Sequence, residues 1–187
     1  MDNKLKILQH LARNKESSFT MHELSKALKI PYASFYRTTK EMPDLIIKTK
    51  KGQAYLIEIK ANNPVAKSYL AIASEEQKKE YLKKQPIIKK IASELNTNDV
   101  VVLFGSYAKK TSTEQSDIDL LIINSSGKKT ISFSKYETLF KKKINPMFIT
   151  FQEFKKMLKD KEENVGKQAL KNHIILNNPE KFWECAL

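Results

Sequence analysis

The chain has 187 residues, 41% hydrophobic and 29% charged, as expected for a soluble, globular protein of one or two small domains. Its net charge of +13 favours polyanionic partners, and a lysine-rich surface that serves solubility is the alternative. No apolar run is long enough to span a membrane. No secretory signal peptide begins the chain, and the single cysteine, Cys185, excludes an intramolecular disulfide, so we expect a cytoplasmic protein.

Three helices are predicted before Pro43. Leucine residues recur at helical spacing within residues 3–13, which predicts the first helix. Thr20 and Glu23 have the spacing of a capping box and predict the start of the second helix. Pro31 is suited to the first turn of the third helix.

Two segments of alternating polarity, Leu45–Lys50 and Ala54–Lys60, flank a turn that contains Gly52, which predicts a hairpin. Three helices followed by a hairpin is the order of a winged helix-turn-helix, and residues 1–60 have this order. In such modules the third helix enters the major groove and the hairpin wing contacts the DNA backbone. We therefore expect these residues to bind double-stranded DNA: Ser34, Tyr36, Arg37, Lys40, Lys50 and Lys51. A winged helix used for homodimerisation or for contact with a protein partner is the alternative.

Residues 61–95 are predicted to form a helical connector that packs on both neighbouring parts of the chain. Asn63 and Pro64 are typical of a helix start. Ser74 supplies a second N-cap signal and predicts a second helix, which Pro86 is expected to kink or divide.

Strands and helices alternate in residues 96–187. Continuous apolar runs predict three buried strands: Val100–Phe104, Ile118–Ile123 and Ile144–Thr150. Helices are predicted at residues 134–143 and 151–160, and a short strand and a helix are predicted at the end of the chain. The predicted fold class is therefore α+β, with a small mixed sheet in the C-terminal domain.

The residues with the most informative chemistry follow the first of these strands. Gly105 and Ser106 form a turn between a strand and a helix, where backbone N–H groups and a hydroxyl can bind a phosphate. Asp117 and Asp119 have i, i+2 spacing at the start of the next strand, so both carboxylates lie on one face. Their mutual repulsion would be offset by Mg²⁺, which prefers oxygen ligands and also binds phosphate. A simple turn formed by Ser116 and Asp117 is the alternative interpretation.

This order of strand, Gly-Ser, short helix and Asp-x-Asp resembles the DNA polymerase β-like nucleotidyltransferase superfamily, in particular its minimal nucleotidyltransferases, over residues 86–160. The resemblance implies that Gly105 and Ser106 hold the β- and γ-phosphates of a nucleoside triphosphate, with ATP the expected nucleotide. It also implies that Asp117 and Asp119 are catalytic residues that bind Mg²⁺. The implied reaction transfers a nucleoside monophosphate to a hydroxyl or similar acceptor and releases pyrophosphate.

Two positions depart from the pattern of this family. Lys110 stands where the family often has glycine, and we expect its side chain to be exposed rather than to attract phosphate. Active members carry a third carboxylate on a later strand, where it helps to deprotonate the acceptor. Alignment on the following helix puts Met147 at this position, Asn145 is the one polar residue on the same side, and Glu153 lies one helical step beyond. A site without this base forfeits roughly 10²–10⁴ in rate, whereas stabilisation by metal and phosphate donors remains.

Three functions follow from these patterns. The leading one is a Mg²⁺-dependent nucleotidyltransferase with a DNA-binding winged helix, whose acceptor is nucleic acid, a protein side chain or a small molecule. The second is a DNA-binding transcriptional regulator whose degenerate nucleotidyltransferase domain senses a nucleotide without turnover. The third is an antitoxin-like protein that modifies or restrains a helical toxin.

Overall fold

The computed structural model describes residues 1–187 and divides them into two compact units, Met1–Ala73 with Leu187 and Ser74–Ala186. The sequence predicts boundaries after residues 60 and 95, whereas the structure divides the chain once, within a long helix. None of the helices combines the length and the apolar character that are needed to cross a membrane.

The first unit contains three helices and a three-stranded antiparallel sheet in the order β1-β3-β2. Its elements in chain order are α1 (Asn3–Arg13), β1 (Phe19–Thr20), α2 (Met21–Ala27), α3 (Tyr32–Lys40), β2 (Ile46–Lys51) and β3 (Ala54–Ile59). The capping box of Thr20 and Glu23 is confirmed. The hairpin is also confirmed, and Gly52 in its turn has a φ of 61°, which favours glycine. The strand β1, which pairs with β3, is too short to be predicted from periodicity.

Helix α4 (Pro64–Leu82) begins in the first unit and continues in the second. The side chain of Asn63 accepts hydrogen bonds from backbone N–H groups of its first turn, as expected for this start. The predicted division is confirmed, because α4 ends before Pro86 and α5 (Pro86–Ser93) begins at it. Proline is tolerated there because the first residue of a helix needs no hydrogen bond from its own nitrogen.

The predicted helix start at Ser74 is wrong. Ser74 lies inside α4, where its buried hydroxyl accepts a hydrogen bond of 2.9 Å from the indole N–H of Trp183. Trp183 is fully buried and its N–H needs a partner away from water. The serine is therefore an acceptor for a distant tryptophan and not a helix cap.

The second unit is built on a four-stranded mixed sheet in the order β6-β5-β4-β7. Its further elements are β4 (Val100–Phe104), α6 (Gly105–Lys109), β5 (Ile118–Asn124), α7 (Ser134–Phe140), β6 (Ile144–Thr150), α8 (Phe151–Lys159), α9 (Val165–Lys171), β7 (Ile174–Asn177) and α10 (Pro179–Ala186). Strand β5 runs antiparallel to β4 and parallel to β6. The three predicted strands and the α+β class are thereby confirmed, and β4 and β5 are buried as expected. The expected burial of the third strand is wrong: in β6 only Ile144 and Ile149 are buried and Met147 is exposed, because this strand lies at the edge of the sheet.

The two faces of this sheet have different neighbours. Leu120 and Ile122 of β5 belong to the apolar cluster formed with Ile88 of α5 and Tyr136 of α7. Helices α8, α9 and α10 contact β4 and β5. Because side chains alternate along a strand, Asp119 points away from the cluster of α5 and α7. This alternation places the predicted carboxylate pair on the face of the sheet opposite to that cluster.

Replacement of Ser74 by Ala should lower the free energy of unfolding by about 1–3 kcal/mol, because the indole N–H of Trp183 would stay buried without this acceptor. Ser68→Ala is the matched control: Ser68 is exposed on the same helix, and its loss should change stability by less than about 0.5 kcal/mol. Urea-induced unfolding followed by circular dichroism measures both. Equal costs for the two variants would contradict the role assigned to Ser74.

Candidate functional site

The Gly-Ser turn follows the central strand β4 and lies against an aspartate of the neighbouring strand. Gly105 has a φ of 68°, in the left-handed region that favours glycine. A Cβ atom added to it would overlap Oδ2 of Asp119 and lie 3.1 Å from Cγ of that carboxylate. The contact arises because Phe104, the last residue of β4, pairs with Asp119 across the ladder. Glycine is therefore required here both by conformation and by space.

The short helix after this turn ends in a second left-handed residue. Lys110 has φ 61° and ψ 30°, and its side chain is exposed, as expected. The N–H of Thr111 donates to the carbonyl oxygen of Ser106 at 3.0 Å and closes the turn. A left-handed conformation at this position explains why glycine is often found there in the family that the sequence resembles. The side chain of Tyr107, which follows Ser106, is buried in the apolar cluster.

The two aspartates are joined by one amide group. Asn145 on β6 pairs with Asp119 across the parallel ladder. Its Nδ2 donates to Oδ2 of Asp117 at 3.1 Å and to Oδ1 of Asp119 at 3.4 Å. The amide N–H groups thus lie between two carboxylates that would otherwise repel each other.

A lysine completes this arrangement. Nζ of Lys143 lies 3.6 Å from Oδ2 of Asp117, and the Lys143 side chain is 70% exposed. Its backbone carbonyl accepts a hydrogen bond of 2.9 Å from the N–H of Ile118, which aligns the start of β6 with the start of β5. Lys143 is not among the residues predicted from the sequence, although it precedes Asn145 by two residues and strand alternation puts both on one face.

The register of β6 corrects the expected third position of the site. Met147 pairs with Leu121 and is 39% exposed, so it does not lie opposite the aspartates. Asn145 lies there instead. Glu153 does not reach the aspartates, because its Oε2 accepts hydrogen bonds from the backbone N–H and the hydroxyl of Thr150 at the start of α8. These hydrogen bonds lower the pKa of the Glu153 carboxyl.

The donor set of the site fits a hard cation. Asp117 and Asp119 supply carboxylate oxygens, a ligand type that Mg²⁺ accepts together with phosphate and water. Asn145 presents amide N–H groups to the same carboxylates, so it is a hydrogen-bond donor to the pair and not a further ligand. No group of three or more His, Cys, Asp or Glu side chains that could hold a metal ion occurs in the protein. Any cation would therefore depend on oxygen atoms that are supplied by a bound nucleotide or by water.

The residues predicted to bind DNA lie on α3 and the β2–β3 hairpin. Those with exposed side chains are Tyr36, Arg37, Lys40, Lys50 and Lys51. Ser34 is half-buried, and its hydroxyl accepts a hydrogen bond of 3.3 Å from Nδ2 of Asn3.

The helix and the hairpin approach each other through basic side chains. Nζ of Lys40 lies 4.7 Å from the centre of the Tyr36 ring. Partial desolvation lowers the pKa of Lys48 on β2, the Tyr36 hydroxyl opposes that change, and the Lys40 charge adds to it. The side chains of Tyr36, Lys40 and Lys48 therefore lie near one another.

Residues 86–176 match the family model described as a nucleotidyltransferase domain. The match confirms the resemblance of this segment to a nucleotidyltransferase domain. The matched residues include Gly105, Ser106, Asp117 and Asp119. No curated protein and no solved structure matches the chain.

The contact between Gly105 and Asp119 predicts that Gly105→Ala, which adds one methyl group, lowers the free energy of unfolding more than the same change at another glycine with positive φ. Gly52→Ala should cost about 1 kcal/mol, since Gly52 has a φ of 61° but nothing within 4 Å of an added Cβ. Gly105→Ala should cost at least about 1 kcal/mol more, because the carboxylate must also turn away from Asn145. Urea-induced unfolding measures both variants.

A double variant separates the two causes. In an Asp119→Ala background, Gly105→Ala should cost no more than Gly52→Ala, because the overlapping carboxylate is gone. If Gly105→Ala costs as much stability in this background as in the unaltered protein, backbone conformation alone explains why glycine is required at position 105.

Proposed function

We propose that residues 86–176 bind a nucleoside triphosphate with Mg²⁺ and transfer a nucleoside monophosphate to an acceptor, with ATP as the donor. The observation that carries this proposal is the contact of Gly105 with the carboxylate of Asp119. It puts a phosphate-binding turn and a cation ligand side by side, which is what metal-assisted phosphoryl chemistry requires. The match of this segment to a nucleotidyltransferase domain supports the same reaction class.

Each residue of the site has a distinct role in this proposal. The backbone N–H groups of the turn and the Ser106 hydroxyl donate hydrogen bonds to the β- and γ-phosphates. Asp117 and Asp119 hold Mg²⁺, which when bound neutralises charge on the triphosphate and on the leaving pyrophosphate. The acceptor oxygen forms a bond to the α-phosphorus while the bond from that phosphorus to the bridging oxygen of pyrophosphate breaks.

The amide of Asn145 favours a second candidate function. An amide cannot accept the proton of an attacking hydroxyl, so this step has no positioned base, which costs roughly 10²–10⁴ in rate. Nucleotide binding does not need that base. A domain that binds a triphosphate and turns it over slowly or not at all would act as a nucleotide sensor for a DNA-binding regulator.

We further propose that the first unit is a winged helix-turn-helix that binds double-stranded DNA. Its element order and its β1-β3-β2 sheet support this assignment. Residues 1–60 carry twelve Lys and Arg against six Asp and Glu. The basic residues of α3 and the hairpin are exposed, and Lys40 of α3 lies near Lys48 of the hairpin, which supports groove and backbone contacts from these two elements.

Asp119→Asn should abolish Mg²⁺-dependent release of pyrophosphate, with a loss of at least about 100-fold, because one charged ligand of the cation is removed. Glu114→Gln is the matched control: Glu114 is exposed in the loop before β5, and its neutralisation should change the rate by less than about twofold. A coupled pyrophosphate assay with ATP and cell extract as the acceptor source measures both.

The same assay separates the two candidate functions. Pyrophosphate release by the unaltered protein that disappears in Asp119→Asn supports the transferase. Tight binding of ATP and Mg²⁺ by calorimetry, without release in any extract, would reject the transferase in favour of the sensor.

Arg37→Ala and Lys51→Ala should each weaken binding to duplex DNA by about three- to tenfold, and the slope of log affinity against log salt should fall by about 0.9 for each phosphate contact that is lost. Lys6→Ala removes an exposed charge from α1 and serves as the control. Fluorescence anisotropy at several salt concentrations measures all three. Affinities that are equal in the three variants would exclude α3 and the hairpin as the DNA contact.

A further inference from the structure

We propose that the nucleotide site holds a single divalent cation, and that the Lys143 ammonium and the Asn145 amide occupy the place where a second cation would be bound. This inference rests on the proposed function and specifies the metal content of the same site. Sites for phosphoryl transfer with two metals need enough anionic ligands to hold both ions about 3.5–4 Å apart. The ligands of this site suffice for one.

The four carboxylate oxygens of the aspartate pair have different partners. Oδ2 of Asp117 accepts a hydrogen bond from Asn145 and lies 3.6 Å from Nζ of Lys143. Oδ1 of Asp119 accepts a hydrogen bond from the same amide group. One oxygen of each carboxylate is therefore engaged with a donor of β6.

The two other oxygens are not engaged by these donors of β6. Oδ2 of Asp119 lies against Gly105, on the side of the phosphate-binding turn. Oδ1 of Asp117 receives none of the hydrogen bonds that Asn145 and Lys143 make. A cation bound by these two oxygens and by phosphate oxygens would break no contact to Asn145 or Lys143.

The charges of the site also disfavour a second cation. The aspartate pair carries two negative charges, and the ammonium of Lys143 lies 3.6 Å from one of them as a partly screened ion pair. A second divalent cation near Oδ2 of Asp117 would meet this ammonium at short range, where like charges repel strongly. It would also face the donor end of the Asn145 amide instead of a third carboxylate.

This inference assigns Lys143 a positioning role in the proposed reaction. Its ammonium would fix the orientation of the Asp117 carboxylate and contribute positive charge on the side away from the Gly-Ser turn. It would not act as a base, because an ammonium beside a carboxylate has no lone pair to accept a proton. The proton of the acceptor would leave to solvent, which agrees with slow transfer.

The test counts Mn²⁺, a spectroscopically visible substitute for Mg²⁺, bound to the protein with an ATP analogue whose α,β-bridge is a non-hydrolysable methylene group. Equilibrium dialysis with electron paramagnetic resonance should give one Mn²⁺ per bound analogue for the unaltered protein. Lys143→Ala should keep one Mn²⁺ and tighten its dissociation constant by about three- to fivefold. Lys142→Ala, which removes the same charge one residue earlier, should change that constant by less than about twofold.

The double variant Lys143→Ala with Asn145→Asp should bind two Mn²⁺ per analogue, because it replaces the donor end of the site by a third carboxylate. Two Mn²⁺ in the unaltered protein would overturn the inference and leave the proposed function standing. A count of one in the double variant would also overturn it, since Lys143 and Asn145 would then not be what limits the site. Binding of neither analogue nor Mn²⁺ by the unaltered protein would overturn the proposed function and the inference together.

Discussion

The carboxylates of Asp117 and Asp119 stand side by side at the start of β5, a strand whose following residues are all buried. Two such charges repel each other, and moving either into the apolar interior would cost several kcal/mol. Residues on or next to both neighbouring strands, β6 and β4, accommodate these two charges. Asn145 on β6 donates to both carboxylates, and the backbone of Gly105 after β4 leaves room for one of them.

The rest of the second unit keeps these groups in register. Leu120 and Ile122 are fixed in the apolar cluster with α5 and α7, so β5 cannot shift by one residue without turning Asp119 into that cluster. The pairing of Phe104 with Asp119 and of Asn145 with Asp119 then follows from the two ladders. Burial of apolar side chains on one face thus determines which polar groups meet at the edge of the other face.

Local signals in the sequence predicted what depends on local structure. The capping box of Thr20 and Glu23 and the continuous apolar strands are correct because neighbouring residues decide them. Ser74 has the same local signal as a helix cap, but a tryptophan more than one hundred residues away uses its hydroxyl. Helix α9 is not predicted from the sequence, because its seven residues are too few to show a clear helical periodicity. It also contains Gly166, where an added Cβ would come within 2.7 Å of Met157.

In the site, too, local motifs can be predicted from the sequence and contacts between distant segments cannot. The Gly-Ser turn and the aspartate pair can be read from the chain because each is a short motif, and the bridging residue cannot. Which residue of β6 lies opposite Asp119 depends on the register of two strands that are far apart in sequence, and counting back from α8 gives Met147 instead of Asn145. The partnership of Lys143 with Asp117 depends on the same register.

The identity of residue 145 links the stability of this site to its chemistry. Asparagine has nearly the size and shape of aspartate, so the strands can pair with either residue. A carboxylate at this position would add a third negative charge within 3.4 Å of the other two, and only bound cations could offset it. The amide instead stabilises the aspartate pair in the absence of metal, and the same substitution removes the group that would accept a proton. If the site acts as proposed, stability without a cation and weak activation of an acceptor are two consequences of one side chain, and they connect the two proposed functions, transferase and sensor, through the same geometry.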